Sequence, residues 1–124
     1  HVTVMLHTHI AESHEDAVAE ALGPMISYVS SSADLSRSGL SDGTKESSVA
    51  AIARAKAAKI VADSFLIGDR HTVEAFVAEL SAIGVDEIAC LVDFGLPTHR
   101  IIQTITQLGQ VRTAGMAVSV HDPA

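Results

Sequence analysis

The chain is poor in the residues that staple or stack. It has one cysteine, Cys90, so it can form no internal disulfide and no cysteine-only zinc site. It has no tryptophan, one tyrosine and three phenylalanines among 124 residues, which leaves little ring surface for stacking. Basic residues are scarce too: eight Lys and Arg stand against fifteen Asp and Glu, for a net charge of −7. That balance argues against nucleic acid as a main partner, because phosphate binding needs a basic patch. No apolar run approaches the roughly 18–20 residues of a membrane span. Residues 2–10 are apolar but lack a basic leader and a small-residue cleavage site, so they do not read as a signal peptide. The expectation is a cytoplasmic chain. A hydrophobic fraction of 48% argues against disorder. The sequence opens at His1 and runs straight into apolar residues, which suggests a piece of something longer.

What is present alternates between two periods. Residues 1–10 (HVTVMLHTHI) are rich in Val, Thr and Ile and apolar on both parities, as in a buried parallel strand. Ser13 followed by Asp16 reads as a helix N-cap, and Val18, Leu22, Met25, Ile26 and Val29 fall at helical spacing. Gly23-Pro24 predicts a kink or restart there. Residues 31–44, rich in Ser, Gly and Asp, predict a mobile loop and a lid over a site. Residues 45–62 are Ala-rich and predict a helix with Val49, Ile52, Ala53 and Ile60 on one face. A short strand over 65–68 ends at Gly68, with Asp69 as N-cap of a helix carrying Val73, Phe76, Val77 and Leu80. Gly84 suits the position just past that helix. A strand over 85–92, a loop at 93–97, and a last helix carrying Ile101, Ile102, Ile105 and Leu108 to about Gly109 complete the pattern.

Short connections and strands that alternate with helices mean βα units around a parallel sheet. Three strands make a narrow sheet whose edges invite further strands. Two architectures build from such units, an open doubly wound sheet and a (β/α)8 barrel. In both, ligands bind at the C-terminal ends of the strands.

Two stretches carry a family likeness. Phe65-Leu66-Ile67-Gly68-Asp69 precedes a helix. After it comes Ile83-Gly84-Val85-Asp86-Glu87-Ile88-Ala89-Cys90-Leu91-Val92-Asp93-Phe94-Gly95. Together they resemble the C-terminal end of luciferase-like flavin monooxygenases, in the branch found in natural-product assembly-line clusters. The opening Val2-Thr3-Val4-Met5-Leu6-His7-Thr8 and Tyr28-Val29-Ser30-Ser31-Ser32-Ala33-Asp34-Leu35 are similar to that branch as well. The chain departs from it at Gly68-Asp69-Arg70-His71, where Gly-Thr-Pro-Glu is usual, and at His9, where an aromatic or aliphatic residue is usual. The resemblance implies an α/β fold in which residues 1–111 are the C-terminal βα units of a TIM-like barrel, three parallel strands with flanking helices, and 112–124 are a tail. It implies reduced FMN and O2 as reactants, and a separate flavin reductase. The missing N-terminal part of the barrel, or a second copy joined through the sheet edges, would then be a partner. It also implies that the isolated chain is inactive, since much of the flavin contact comes from earlier strands.

Several residues lie on the predicted strand-end face. His7 and His9, two apart, share a face of the first strand. They are candidates to line a flavin or substrate pocket with Tyr28, Asp93 and His99; with Asp93 they alternatively make a metal set of the kind barrel metallohydrolases use. They are equally consistent with plain loop and cap residues. Gly68 and Asp69 at a helix N-terminus are anion-binding candidates, although a carboxylate cap would compete for the same N–H groups. Cys90 reads as a small core hydrophobe. Asp93-Phe94-Gly95 lacks the rest of the kinase motif set and reads as a turn. Three functions fit: a fragment of an FMN-dependent monooxygenase, a metallohydrolase fragment, or a small α/β binding module that completes its sheet by oligomerisation.

Overall fold

The computed structural model describes residues 1–36, 43–64 and 66–113; of 32–36, 43–47, 112 and 113 it describes the backbone alone. Of the loop and lid expected over 31–44, residues 31–36 and 43–44 are helical and 37–42 lie outside the described residues; of the tail expected over 112–124, residues 112 and 113 are helical and 114–124 lie outside them. The described elements are β1 (Thr3–His7), β2 (His9–Ala11), α1 (His14–Ser36), α2 (Gly43–Asp63), β3 (Ile67–Asp69), α3 (Arg70–Ala82), β4 (Glu87–Leu91) and α4 (Thr98–Thr113).

β1 and β2 are one extended run that changes partner at Thr8. β1 pairs in parallel with β4, Thr3 opposite Glu87 through His7 opposite Leu91. β2 pairs in parallel with β3, His9 opposite Ile67 through Ala11 opposite Asp69. At the changeover the Thr8 N–H donates to the Leu91 carbonyl and the His9 N–H to that of Leu66, both at 2.9 Å. The Ser64 hydroxyl covers the His7 carbonyl at 3.1 Å. Three backbone groups at this buried break are thus satisfied.

The α/β class with short parallel strands is as expected. No barrel is closed among the described residues: the strands form two two-stranded parallel sheets, β1 with β4 and β2 with β3. Strands of a barrel pair in chain order, whereas β4 here pairs with β1. Two apolar clusters flank the strands. Ala17, Ala21 and Met25 of α1 meet Ala57 and Val61 of α2, with Ile67, Phe94 and Leu96, in one. Ile10, Leu66 and Val73, with Leu6, Phe76, Ile88 and Leu108 against them, form the other.

The helices differ from expectation in instructive ways. α1 is a single helix through Pro24, which costs the bond that the Glu20 carbonyl would otherwise accept. It also continues to Ser36, because residues 30–36 hold no Gly or Pro and serine is only a weak helix opponent. α4 runs past Gly109 to Thr113. The seam between α1 and α2 is made of alanines at i, i+4 spacing, and the small side chains let the backbones approach. Bulkier Ile52 is turned out and is 57% exposed. In α4 the buried position is Thr104, not Ile102 or Ile105, which are more than half exposed.

The caps form as predicted. The Ser13 hydroxyl accepts from the Asp16 N–H at 3.0 Å. Gly84 and Gly95 carry φ of +100° and +109°, a region that glycine enters without strain.

Candidate functional site

In an open parallel sheet, ligands bind beyond the C-terminal strand ends, where neighbouring connections leave toward opposite faces. Here the chain leaves the first strand for α1, which lies on the first cluster. It leaves β4 for α4, whose Leu108 and Val111 lie on the second. Three rings meet at this point. His7 stands edge-on to Tyr28 of α1, with centroids 5.5 Å apart and planes at 71°. It stands likewise to Phe94, at 5.4 Å and 89°. Phe94 is buried under the turn that Gly95 makes possible. Burial holds the His7 imidazole below its ordinary pKa, so the neutral ring is favoured. His7 and Tyr28, both expected at a pocket, are thus brought together. Asp93, next to Phe94, is exposed in the same loop.

His9 is placed differently. It is 1% exposed, and both its ring nitrogens are engaged. Nε2 lies 2.7 Å from the Glu20 carboxylate, and Nδ1 lies 3.3 Å from the Thr104 hydroxyl. That hydroxyl oxygen also accepts from the Ile10 N–H at 3.1 Å. The other Glu20 oxygen meets Arg100 Nη2 at 3.0 Å. His9 is therefore a bonded strut between β2, α1 and α4, and does not line a pocket.

The metal set is not assembled. His7 and His9 both turn toward α1, but their partners Tyr28 and Glu20 are eight residues apart, about 12 Å along a helix. His9 has no free nitrogen for a cation, and no group of three His, Cys, Asp or Glu among the described residues could hold a metal ion. The reading of His7, His9 and Asp93 as ligands is corrected on that ground.

A cleft of about 940 Å³ opens beside His9, at the ends of β2 and β3. Glu12, Asp16 and Glu20 line it on one side, Arg70, His71 and Glu74 of α3 on another, and α4 supplies Arg100, Gln103 and Gln107. Both arginines are already neutralised, Arg70 by Glu74 at 3.0 Å and Arg100 by Glu20. The acidic lining disfavours an anionic ligand. Glu20, Arg100 and Thr104 were not singled out from the sequence. No local spacing links residue 9 to residues 20 and 104, and only the packing of α1 and α4 on β2 unites them.

Asp69 is a plain N-cap of α3. Its carboxylate accepts from the Thr72 N–H at 2.8 Å, and that bond is the main cause of its lowered pKa. The donor an anion would need is therefore taken. Gly68 is buried, and a side chain there would meet His14 Nδ1 at 3.2 Å. His99 is exposed in the first turn of α4. Cys90 is half-buried beside Ile88, and burial pushes its thiol pKa up, as suits a core cysteine rather than a nucleophile.

These residues do not by themselves fit FMN. One ring wall exists, but the cleft is lined by carboxylates and the α3 N-terminus is capped by Asp69, so no phosphate cradle is formed among the described residues. No described helix is long and apolar enough to cross a membrane. Neither a protein-family model nor a curated protein sequence matches the chain.

Proposed function

We propose that the chain is the C-terminal part of a luciferase-like, FMN-dependent monooxygenase, and that it contributes one wall of the flavin or substrate pocket without binding FMN alone. The observation that carries this reading is the His7–Tyr28–Phe94 ring group at the strand ends. It unites residues from three of the stretches that resemble the family. The turn at Phe94-Gly95 supports it, because it closes the most family-like segment with a buried ring and a positive φ.

The reading carries a structural requirement. Barrel strands pair in chain order, so in the whole enzyme β4 would leave β1 and pair with β3. Fluorescence titration of FMN tests the flavin reading. The 124-residue chain is expected not to bind stoichiometrically, and a chain extended by preceding βα units is expected to bind. Tight binding by the short chain overturns the one-wall role, and failure of the extended chain overturns the family reading.

A second reading is favoured by the strand order itself. One extended run that pairs with β4 through β1 and with β3 through β2 fits a small stand-alone α/β module. A cysteine pair at Met5 and Ala89, which are Cα partners, separates the two in a Cys90→Ser background. Cross-linking in the extended protein supports the module; cross-linking only in the short chain supports the barrel.

A further inference from the structure

α4 is attached to the rest of the molecule in a way no other helix is. Among its described residues, the one fully buried side chain is a hydroxyl, Thr104, at 1% exposure. Its outer isoleucines, Ile102 and Ile105, are 57% and 52% exposed. Its apolar contacts, through Ile101, Leu108 and Val111, are only partly buried. The specific ties are polar. Thr104 bonds the Ile10 N–H and lies against His9, Arg100 pairs with Glu20 of α1, and Gln110 accepts from Arg70 of α3. Meanwhile α4 forms one wall of the 940 Å³ cleft.

We propose that α4 is a flap, latched by the His9–Glu20–Arg100–Thr104 network, whose release widens the cleft at the ends of β2 and β3. Segments held by few buried apolar contacts open locally, at a cost well below that of global unfolding. Directional bonds release all at once, because losing Thr104 from the Ile10 N–H also frees His9 Nδ1 and loosens the carboxylate that Arg100 shares. When α4 lifts, the cleft gains the depth between β2 and the helix, with the Ile10 backbone at its floor.

Hydrogen exchange read by mass spectrometry on the full 124-residue chain tests this. Amides of α4 are expected to exchange faster than those of α1 and α2. Thr104→Val removes the hydroxyl at nearly constant volume and is expected to speed exchange in α4 by about tenfold or more, leaving α1 and α2 unchanged. Thr104→Ser keeps the hydroxyl and is expected to behave as the parent. Arg100→Ala, at a 41% exposed side chain, removes one tie without burying an orphaned group and is expected to speed α4 selectively by less. If Thr104→Val does not fold, Arg100→Ala alone decides. Exchange in α4 as slow as in α1, equal effects of Val and Ser, or an Arg100→Ala effect spread over all helices would overturn the proposal.

Discussion

The two faces of the sheet are held by different kinds of force. On the α1–α2 face the buried positions are apolar: Ala17, Ala21, Met25, Ala57 and Val61 close the seam. On the α3–α4 face, α3 contributes Val73 and α4 contributes a hydroxyl. Apolar burial is non-directional and scales with area, so the first face tolerates small rotations while resisting separation. Hydrogen bonds contribute less each but lose their value abruptly with geometry. The first face sets stability, and the second sets where α4 sits.

The substitution with the largest effect probes the seam. Met25→Ala leaves a cavity at a fully buried site and is expected to cost about 2–5 kcal/mol in urea unfolding. Probes on α1 and on α4 should shift together, since the seam carries global stability; a transition confined to one face would break the comparison. Gly95→Ala comes next, at about 1–3 kcal/mol. Its φ is +109°, and the added carbon would come within 3.3 Å of the Pro24 side chain, so the same substitution tests the contact between the site turn and α1.

Asp69→Ala follows, at about 0.5–2 kcal/mol by loss of the α3 cap. Its pH dependence has a definite sign. The Thr72 N–H lowers the folded pKa, so the stabilisation is present above the unfolded carboxylate value and is lost as pH falls through the lowered folded value. Melting curves of the variant should lack that acid-side slope.

His7→Phe sharpens the junction between the faces. Burial lowers the folded pKa of His7, so on acidification the unfolded chain takes up the proton first. Stability is therefore full above the ordinary imidazole value, declines below it, and levels off once the folded pKa is passed; the phenylalanine variant should lose this slope. The smallest effect is expected from Glu74→Ala, whose ion pair with Arg70 is partly exposed and worth about 0.2–1 kcal/mol at most in thermal melts.

Much of the local structure was legible because it is decided by neighbours in sequence. Ser13, Asp69, Gly84 and Gly95 perform the capping and turning roles their spacing predicts. Helix faces were read less well. Counting large apolar residues pointed to Ile52, Ile102 and Ile105, yet α2 turns Ala53, Ala57 and Val61 inward, and α4 presents Thr104 inward. The helix over 30–36 was hidden by serine content, because composition reports solubility more directly than backbone preference. At the site, the role of His7 could be anticipated from its place at a strand end. That of His9 could not, because its partners Glu20 and Thr104 are fixed by how α1 and α4 pack on β2.

The change of partner at Thr8 also has a consequence in time. β2 finds β3 after a span of 58 residues between His9 and Ile67, but β1 needs β4, and the Val2 N–H needs the Asp86 carboxylate 84 residues away. At ordinary rates of synthesis that delay is on the order of ten seconds. Until then the β4-facing edge of β1, in one of the most strand-prone stretches of the chain, is without that partner. The run that holds both strand pairs is thus open to wrong pairings at that edge while the protein is being made.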